Sequence, residues 1–367
     1  MEYKVSVIVP MYKAQRFIEP AVNGLLNQTL KDLEVVVVND CSPDDSLELC
    51  QKLYGDNERV QILTQPKNMG PGEARNAGIK AARGEYIAFA DIDDGILKNA
   101  YEELYRLAKE KGDADVIHST GNILPLDKTD PDDIYSVDDK LYFAIPNDRF
   151  DIAKVVTVLS DDLNERYEKW RKHAYHWNVG TKLFRTGFLR ENDIHFSEIR
   201  LSEDMAFCFE ALFLAKTYVL TPDRYYLYRI SNVSISRRGY TTEFFRTTCH
   251  ALFNVCPIVK KTMEKIDYFK NNKKSREGVY DYMLEILEHE FVIPAFQNLG
   301  EETILSDGLF SELMEEQFGY NADYVTYAFF EQHRKYPPTV SSIEQLNVDN
   351  LLAYKEKAEA SKKSGKV

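Results

Sequence analysis

The sequence predicts an α/β fold: a mainly parallel central sheet with helices on both faces, followed by a helical C-terminal extension. Three observations predict it. Short β-branched runs alternate with helical periodicities over the first 120 residues, and polar residues follow the ends of those runs. From about residue 241 the pattern turns helical throughout.

The elements follow in order. "VSVIVP" (5–10) reads as a buried strand, and residues 16–27 carry Phe17, Ile18, Val22, Leu25 and Leu26 at helical spacing. "LEVVVVN" (33–39) is a second strand, "SLELCQKLY" (46–54) a helix and "VQIL" (60–63) a third strand. "GEARNAGIKAAR" (72–83) forms a helix ended by Gly84, with Pro71 at its start. A strand at 86–90, a helix at 99–111 and a strand at 115–118 complete the series. Such alternation implies right-handed crossovers and ligands at the carboxyl ends of the strands. Pro10, Tyr12, Asn39, Asp40, Gln65 to Gly70, and Asp91 to Asp94 fall there. Residues 127–140 are an acidic loop, 141–240 mix helices with short strands, and "KEKAEASKKSGKV" is a basic tail. The chain thus divides into 1–120, 121–240 and 241–367, without an internal repeat.

Composition narrows the function. A chain of 367 residues exceeds one typical domain, and 44% hydrophobic with 12% aromatic residues supplies a core. The net charge of −13 argues against nucleic acid as a partner but leaves local nucleotide binding open. Five scattered cysteines without a CxxC pair indicate reduced thiols rather than a disulfide or zinc framework. No run reaches the roughly 18 apolar residues of a membrane span, and the N-terminus does not read as a signal peptide. The expectation is a cytoplasmic protein, with peripheral contact at the inner face of the membrane left open.

The most informative stretch is "GEYIAFADIDDGIL" (84–97), where a buried strand ends in Asp91, Asp93 and Asp94. Three like charges in four positions repel unless a cation sits among them. A solvated turn, a protein cation and a metal-bridged phosphate all fit. In an extended segment Asp91 and Asp93 project to one side while Asp94 turns away. Carboxylates suit Mg²⁺ or Mn²⁺, which take one or two of them plus substrate phosphates. An EF-hand and a D-x-D-x-T phosphatase are excluded by spacing and by the missing Thr. Asp40 closes a strand, where a carboxylate can accept from a base or ribose, whereas Ser42, Asp44 and Asp45 read as helix caps. "QPKNMGPGEARNAG" fits neither a dinucleotide fingerprint nor a P-loop. Arg75, early in its helix, opposes the dipole unless it meets carboxylates or phosphates. In "RLSED", Ser202 reads as a cap, with Glu203 and Asp204 in the first turn of an apolar, buried helix. The dipole is expected to keep a base there ionised near neutral pH.

The succession "VSVIVPMYKAQRFIEPAVNGLLNQTLKDLEVVVVNDCSPDDS", "NMGPGEARNAGIKAARGEYIAFADIDD", "WNVGTKLFR" and "RLSED" resembles the inverting GT-A-fold glycosyltransferases of family two. In particular it is similar to bacterial enzymes acting on teichoic acids, capsules and lipopolysaccharide. The likeness is dense over residues 5–120, sparser over 175–240, and fades afterward. It implies a Rossmann-like GT-A domain, with 1–120 as its nucleotide-sugar half, 121–240 as its acceptor half and a helical 241–367. Pro10, Tyr12 and Asp40 would hold the uracil of a UDP-sugar, and Asn68 and Arg75 would make further nucleotide contacts. Asp91 would meet the ribose, and Asp93, with Asp91 beside it, the Mn²⁺ or Mg²⁺ that bridges the diphosphate. Ile92 stands where the family often has Ser. Asp204, paired with Glu203, matches the catalytic base. Trp177 and Lys182 read as acceptor-side scaffold. "YRISNVSISRRG", with Arg229, Ser234 and Arg237, resembles the segment that closes over the diphosphate, or else a solvated basic loop. The implied acceptor is a glycan or glycopolymer hydroxyl. The C-terminal region could supply acceptor surface, membrane association or a homo-oligomer contact.

Two other classes compete. A sugar nucleotidyltransferase would need an N-terminal glycine- and arginine-rich phosphate loop, which "VIVPMYKAQRF" lacks. A non-catalytic sugar-binding scaffold would leave Asp91, Asp93 and Asp204 together unexplained.

Overall fold

The computed structural model describes residues 2–120, 122–123, 155–172, 175–199, 202–223, 225–227, 241–286 and 298. The chain forms two compact units, Met1–Ser234 and Ile235–Val367.

The first unit begins with the expected alternation. Strands β1 (Tyr3–Met11), β2 (Leu33–Asn39), β3 (Val60–Thr64) and β4 (Gly84–Phe89) are separated by helices α1 (Ile18–Leu26), α2 (Ser46–Tyr54) and α3 (Pro71–Ala81). Val5, Val7, Ile8 and Val9 of β1 are fully buried, as is the β2 run Val35 to Val38, because helices cover both faces of the sheet. Helix α1 buries Ile18, Ala21, Val22 and Leu25, a single i, i+3, i+4, i+7 stripe. Pro71 occupies the first position of α3, where its missing N–H costs nothing. Gly78 lets that helix lie on β1: a Cβ there would stand 2.3 Å from Ile8 Cγ2.

Further along come β5 (Gly95–Ile96), α4 (Ala100–Glu110), β6 (Val116–Ser119), β7 (Asn122–Ile123), β8 (Thr157–Val158) and α5 (Leu163–Arg171). After a 3₁₀ turn (Val179–Thr181) follow β9 (Lys182–Arg185), α6 (Thr186–Glu191), α7 (Glu203–Leu214), β10 (Tyr218–Thr221) and β11 (Tyr226–Leu227). The main sheet has eight strands in the order β3-β2-β1-β4-β9-β6-β10-β8, and a small sheet has the order β5-β11-β7. Strands β1 to β4 are mutually parallel, as are β6 and β10. Strand β9 runs antiparallel between β4 and β6, and β8 is an antiparallel edge. The "KLFR" segment is therefore a central strand, with Leu183 and Phe184 both fully buried. Residues from before and after position 120 share one sheet.

Register places the site. Strand β4 stops pairing with β1 at Ile8↔Phe89, where Ala90 N–H donates to the Ile8 carbonyl at 3.0 Å. Pro10 lies two residues on, past the end of that ladder, so its missing donor leaves no bond unmade. The chain then splays: β1 and β2 run on to Met11↔Asn39 while β4 turns into the aspartates.

The second unit contains α8 (Thr242–Lys265), α9 (Asp267–Asn271) and α10 (Lys273–Ile286). Thr241 caps α8 by accepting from Phe244 N–H at 3.1 Å. No helix among the described residues is long and apolar enough to cross a membrane.

Candidate active site

Four loops meet at the carboxyl edge of β1, β2 and β4. Asp40 knits them. Its Oδ1 accepts from Met69 N–H at 2.7 Å and its Oδ2 from Gly70 N–H at 2.8 Å, while Asn68 Nδ2 donates to its carbonyl at 3.3 Å. Asp40 thus fixes the loop before α3. Each carboxylate oxygen keeps a second lone pair for a ligand. Ser42 N–H donates to Asn39 Oδ1, and Ala14 N–H to Ser46 Oγ. Ser42, Asp44 and Asp45 were expected as caps. Asp44 takes that part by accepting from Ser46 N–H and Oγ, while Asp45 makes no capping bond. Tyr12 is 43% exposed beside this edge. Lys13 and Cys41, which follow the two strands, both hold left-handed φ values of 52° and 55°. Strained backbone of this kind persists where the surrounding structure over-determines it, often at ligand sites.

The three aspartates after β4 do not share one environment. The segment is a turn, with Asp94 N–H donating to the Asp91 carbonyl at 3.0 Å, rather than the extended stretch expected from alternation. Ile92 faces the core. Asp94 is buried and accepts from the Tyr226 hydroxyl at 2.5 Å. Burial, together with the nearby aspartates, raises the Tyr226 hydroxyl pKa far above its ordinary value, so it stays a donor. Asp91 Oδ1 accepts from Arg75, yet its side chain is 46% exposed, and Asp93 is partly exposed. Repulsion is relieved where Asp91 meets Arg75 and Asp94 meets Tyr226.

The donor set suits a hard divalent cation. Among the described residues no group of three or more His, Cys, Asp and Glu could hold an ion unaided. Asp93 with the open part of Asp91 offers carboxylate oxygens only, which matches a cation completed by phosphate oxygens and water.

Arg75 joins this turn to the acid pair. Its Nη2 donates to Asp91 Oδ1 at 2.8 Å and its Nη1 to Glu203 Oε1 at 2.9 Å, with the guanidinium over the Phe196 ring. The anions its helix position required are these carboxylates. Burial opposes its charge, but Asp91 and Glu203 overcome this and keep it protonated. Glu203 approaches because Gly72 has no side chain, since a Cβ there would lie 3.1 Å from Glu203 Cγ.

The start of α7 differs from expectation in two ways. Ser202 makes no capping bond: its backbone is left-handed (φ 63°), so it turns the chain rather than capping it. Asp204 is also not held low by the dipole. Burial, then the adjacent Glu203 charge, pushes its pKa up to about 7, against the opposing pull of Arg75, Met205 N–H and Lys182. Desolvation outweighs the helix end here. A base titrating near the working pH is well matched to proton transfer.

Packing fixes that helix. Phe196 and Phe207 stack with ring centres 4.1 Å apart, and Phe89 and Phe184 meet Phe207 edge-on at 5.8 and 5.3 Å. Asn76 holds the Phe196 backbone from both sides, Nδ2 donating to its carbonyl and Oδ1 accepting its N–H, each at 2.8 Å. Lys182 is buried with Nζ donating to the His176 and Asn178 carbonyls at 2.8 and 2.7 Å. Trp177, the other scaffold residue expected there, is partly exposed, and its carbonyl accepts from Cys208 Sγ at 3.2 Å. Pro10 is partly buried on β1. Arg229, Ser234 and Arg237 lie outside the described residues.

Asn76, Phe196, Tyr226 and Gly180 were not singled out by sequence, and Gly72 entered only through the rejected dinucleotide fingerprint. Asn76 alone carried a signal, as a poor helix former placed mid-helix.

Fold and site together define a GT-A-type glycosyltransferase: a mainly parallel sheet, an aspartate turn at its carboxyl edge, and an acid pair heading a buried helix. The profile described as Glycosyl transferase family 2 matches residues 6–255. The glycosyltransferase GlyG of Streptococcus pneumoniae serotype 4 is 31% identical over 247 residues, covering 67% of this chain and 77% of that protein. EpsJ of Bacillus subtilis, an uncharacterized glycosyltransferase, is 30% identical over 237 residues, 64% of either chain. A crystal structure of residues 1–349 of S. aureus TarS with UDP-GlcNAc aligns at TM-score 0.57 and 21% identity, over 99% of this chain and 92% of that one. TarS carries the name poly(ribitol-phosphate) beta-N-acetylglucosaminyltransferase. The chain belongs to glycosyl transferase family 2.

Proposed function

We propose that this protein transfers a sugar, with inversion, from a UDP-sugar to a hydroxyl of a surface glycan or glycopolymer. The observation that carries the reading is the single guanidinium of Arg75 holding Asp91 of the aspartate turn and Glu203 beside Asp204. Donor-side and acceptor-side carboxylates are thereby gathered at one site. Similarity to TarS, which is solved with UDP-GlcNAc and named for a glycopolymer acceptor, supports the choice of donor and acceptor class.

In this reading Tyr12, Pro10 and Asp40 receive the base, with Asn68 beside them, and Asp91 accepts from the ribose. Asp93 and Asp91 are the residues that would hold a divalent cation, which when bound supplies charge to the leaving diphosphate. Asp204 removes the proton from the acceptor hydroxyl as that oxygen bonds to the anomeric carbon. The bond to the diphosphate oxygen breaks on the opposite face, so the configuration inverts and UDP leaves with the bond's electron pair. Glu203 and Arg75 orient Asp204. Arg229, Ser234 and Arg237 are assigned to the diphosphate by the family resemblance alone.

A panel of nucleotide sugars with Mg²⁺ or Mn²⁺ tests this through release of nucleoside diphosphate. UDP release from one UDP-sugar is expected, stimulated by acceptor and abolished by excess chelator. Asp204→Asn should lower kcat by about 10²–10⁴-fold with donor affinity and melting temperature little changed. Full transfer by that variant would remove the base from the mechanism.

A further inference from the structure

Arg75 is placed unlike an ordinary ligand-binding arginine. Its side chain is 7% exposed, and its two terminal nitrogens serve residues 16 positions downstream and 128 positions downstream. The two acceptors are unequal. Asp91 is 46% exposed and open to a ligand, whereas Glu203 is 8% exposed. Around Asp204 stand Glu203 on its own helix, Cys208 one turn further, Arg75 from α3 and Lys182 from β9. Lys182 is engaged by backbone carbonyls, so Arg75 is the cation whose share can change.

We propose that Arg75 is a positioning residue that couples donor binding to the acid pair: a donor engaging Asp91 leaves more of the guanidinium to Glu203, and through it favours ionised Asp204. The inference rests on the reading of Asp91 as a donor contact and Asp204 as the base. The physics is that of one cation shared between two anions. Hydrogen bonds from a ribose, or a cation shared with Asp93, offset the charge of Asp91 and weaken its hold on Arg75. The same event removes a negative field that opposes ionisation of the acid pair, so both effects have one sign. With the Asp204 pKa at about 7, free protein at neutral pH holds part of that proton, and donor binding expels it. The base is thereby readied when a donor is in place.

Calorimetry tests this without turnover. UDP with Mg²⁺ is titrated into the full chain at pH 7 in two buffers of different ionisation heat, and the difference counts protons released. Wild type should release a fraction of a proton on binding. Asp204→Asn should bind UDP and release less, which also subtracts any titration of UDP itself. Arg75→Lys keeps the charge but not the fork that spans two carboxylates. It should cut the release, and in transfer assays move the acid limb of kcat to higher pH by about one unit or more. Glu203→Gln, which breaks the other end, should likewise cut the release and guards against a misfolded Arg75→Lys. A loss of stability alone moves neither the proton count nor the pH profile. Binding with equal release in wild type and Asp204→Asn overturns the coupling and leaves the donor reading standing. No binding of UDP overturns the donor reading and the coupling with it.

Discussion

Three aspartates in four positions looked like one electrostatic object in the sequence, and the fold makes them three. Asp91 is held by a buried arginine, Asp94 by a tyrosine hydroxyl, and Asp93 is left partly exposed on the turn. Their roles separate on mutation. Asp93→Ala should remove nearly all transfer while the chain stays folded by circular dichroism; unchanged transfer would end the metal reading. Tyr226→Phe removes one donor to the buried Asp94 carboxylate and should lower unfolding free energy by about 1–3 kcal/mol in urea titrations. A stability equal to wild type would mean that Asp94 finds another donor. Strand-end position was enough to single out Asp40 and the aspartates, since the carboxyl edge of a parallel sheet is legible from alternation alone, and Arg75 stood out by its place near the amino end of its helix. Their partners were not legible. Nothing local marks Glu203 as the mate of Arg75, because 128 residues separate them.

At the scale of elements, α1 to α4 and β1 to β4 lie within a residue or two of the sequence reading, because each is a periodic segment with a buried stripe. The end of α7 that bears the acid pair was harder. Propensity suggested a serine cap, but the Phe89, Phe184, Phe196 and Phe207 cluster sets where the helix begins, and Ser202 follows with a left-handed backbone. Strand β9 was missed as a strand since four residues, "KLFR", carry too short a period. The turn before it shows what such segments do. Asn178 accepts from Gly180 N–H at 2.8 Å, and the Tyr226 ring lies where a Gly180 Cβ would stand, 2.3 Å from Cε2. Gly180→Ala must therefore push that ring, and with it the hydroxyl on Asp94. A loss of about 1–3 kcal/mol from overpacking is expected. It should be non-additive with Tyr226→Phe in a double-mutant cycle. Additive losses would show that the glycine acts only on its own backbone.

Over the whole sheet, polar groups buried far from the site set the response to acid. His118 on β6 and His176 before the 3₁₀ turn face each other with Nε2 atoms 3.0 Å apart, and Tyr218 meets His118 Nδ1 at 3.1 Å. One hydrogen fits between those two nitrogens, so the pair cannot carry a proton on both. Burial, then the charge of Lys182, holds both histidines well below their ordinary value of 6.5. Folded-state values that are depressed mean stability present above about pH 6.5 and lost as pH falls, at about 1.4 kcal/mol per pH unit for each proton that unfolding takes up. Asp204 acts in the opposite sense. Its raised value means the folded chain binds a proton that the unfolded chain lacks between 3.8 and about 7, which adds stability as pH falls through that window. Two histidines outweigh one aspartate below pH 7, so unfolding free energy should decline toward pH 5.5, with a net proton uptake that grows from about zero at pH 7 to about one at pH 5.5. Asp204→Asn removes the offset and should steepen that decline, whereas His118→Gln should flatten it. Glu34 enters later. Burial pushes its carboxyl up, but Ser6, Arg83 N–H, Gln61 and the Arg83 guanidinium outweigh that and hold it low, so its contribution is lost only below about pH 4.5. Urea titrations of the three chains at pH 5.5, 6.25 and 7 decide the matter, and a wild-type slope of zero or of the opposite sign would show that the histidine pair is protonated in the folded protein.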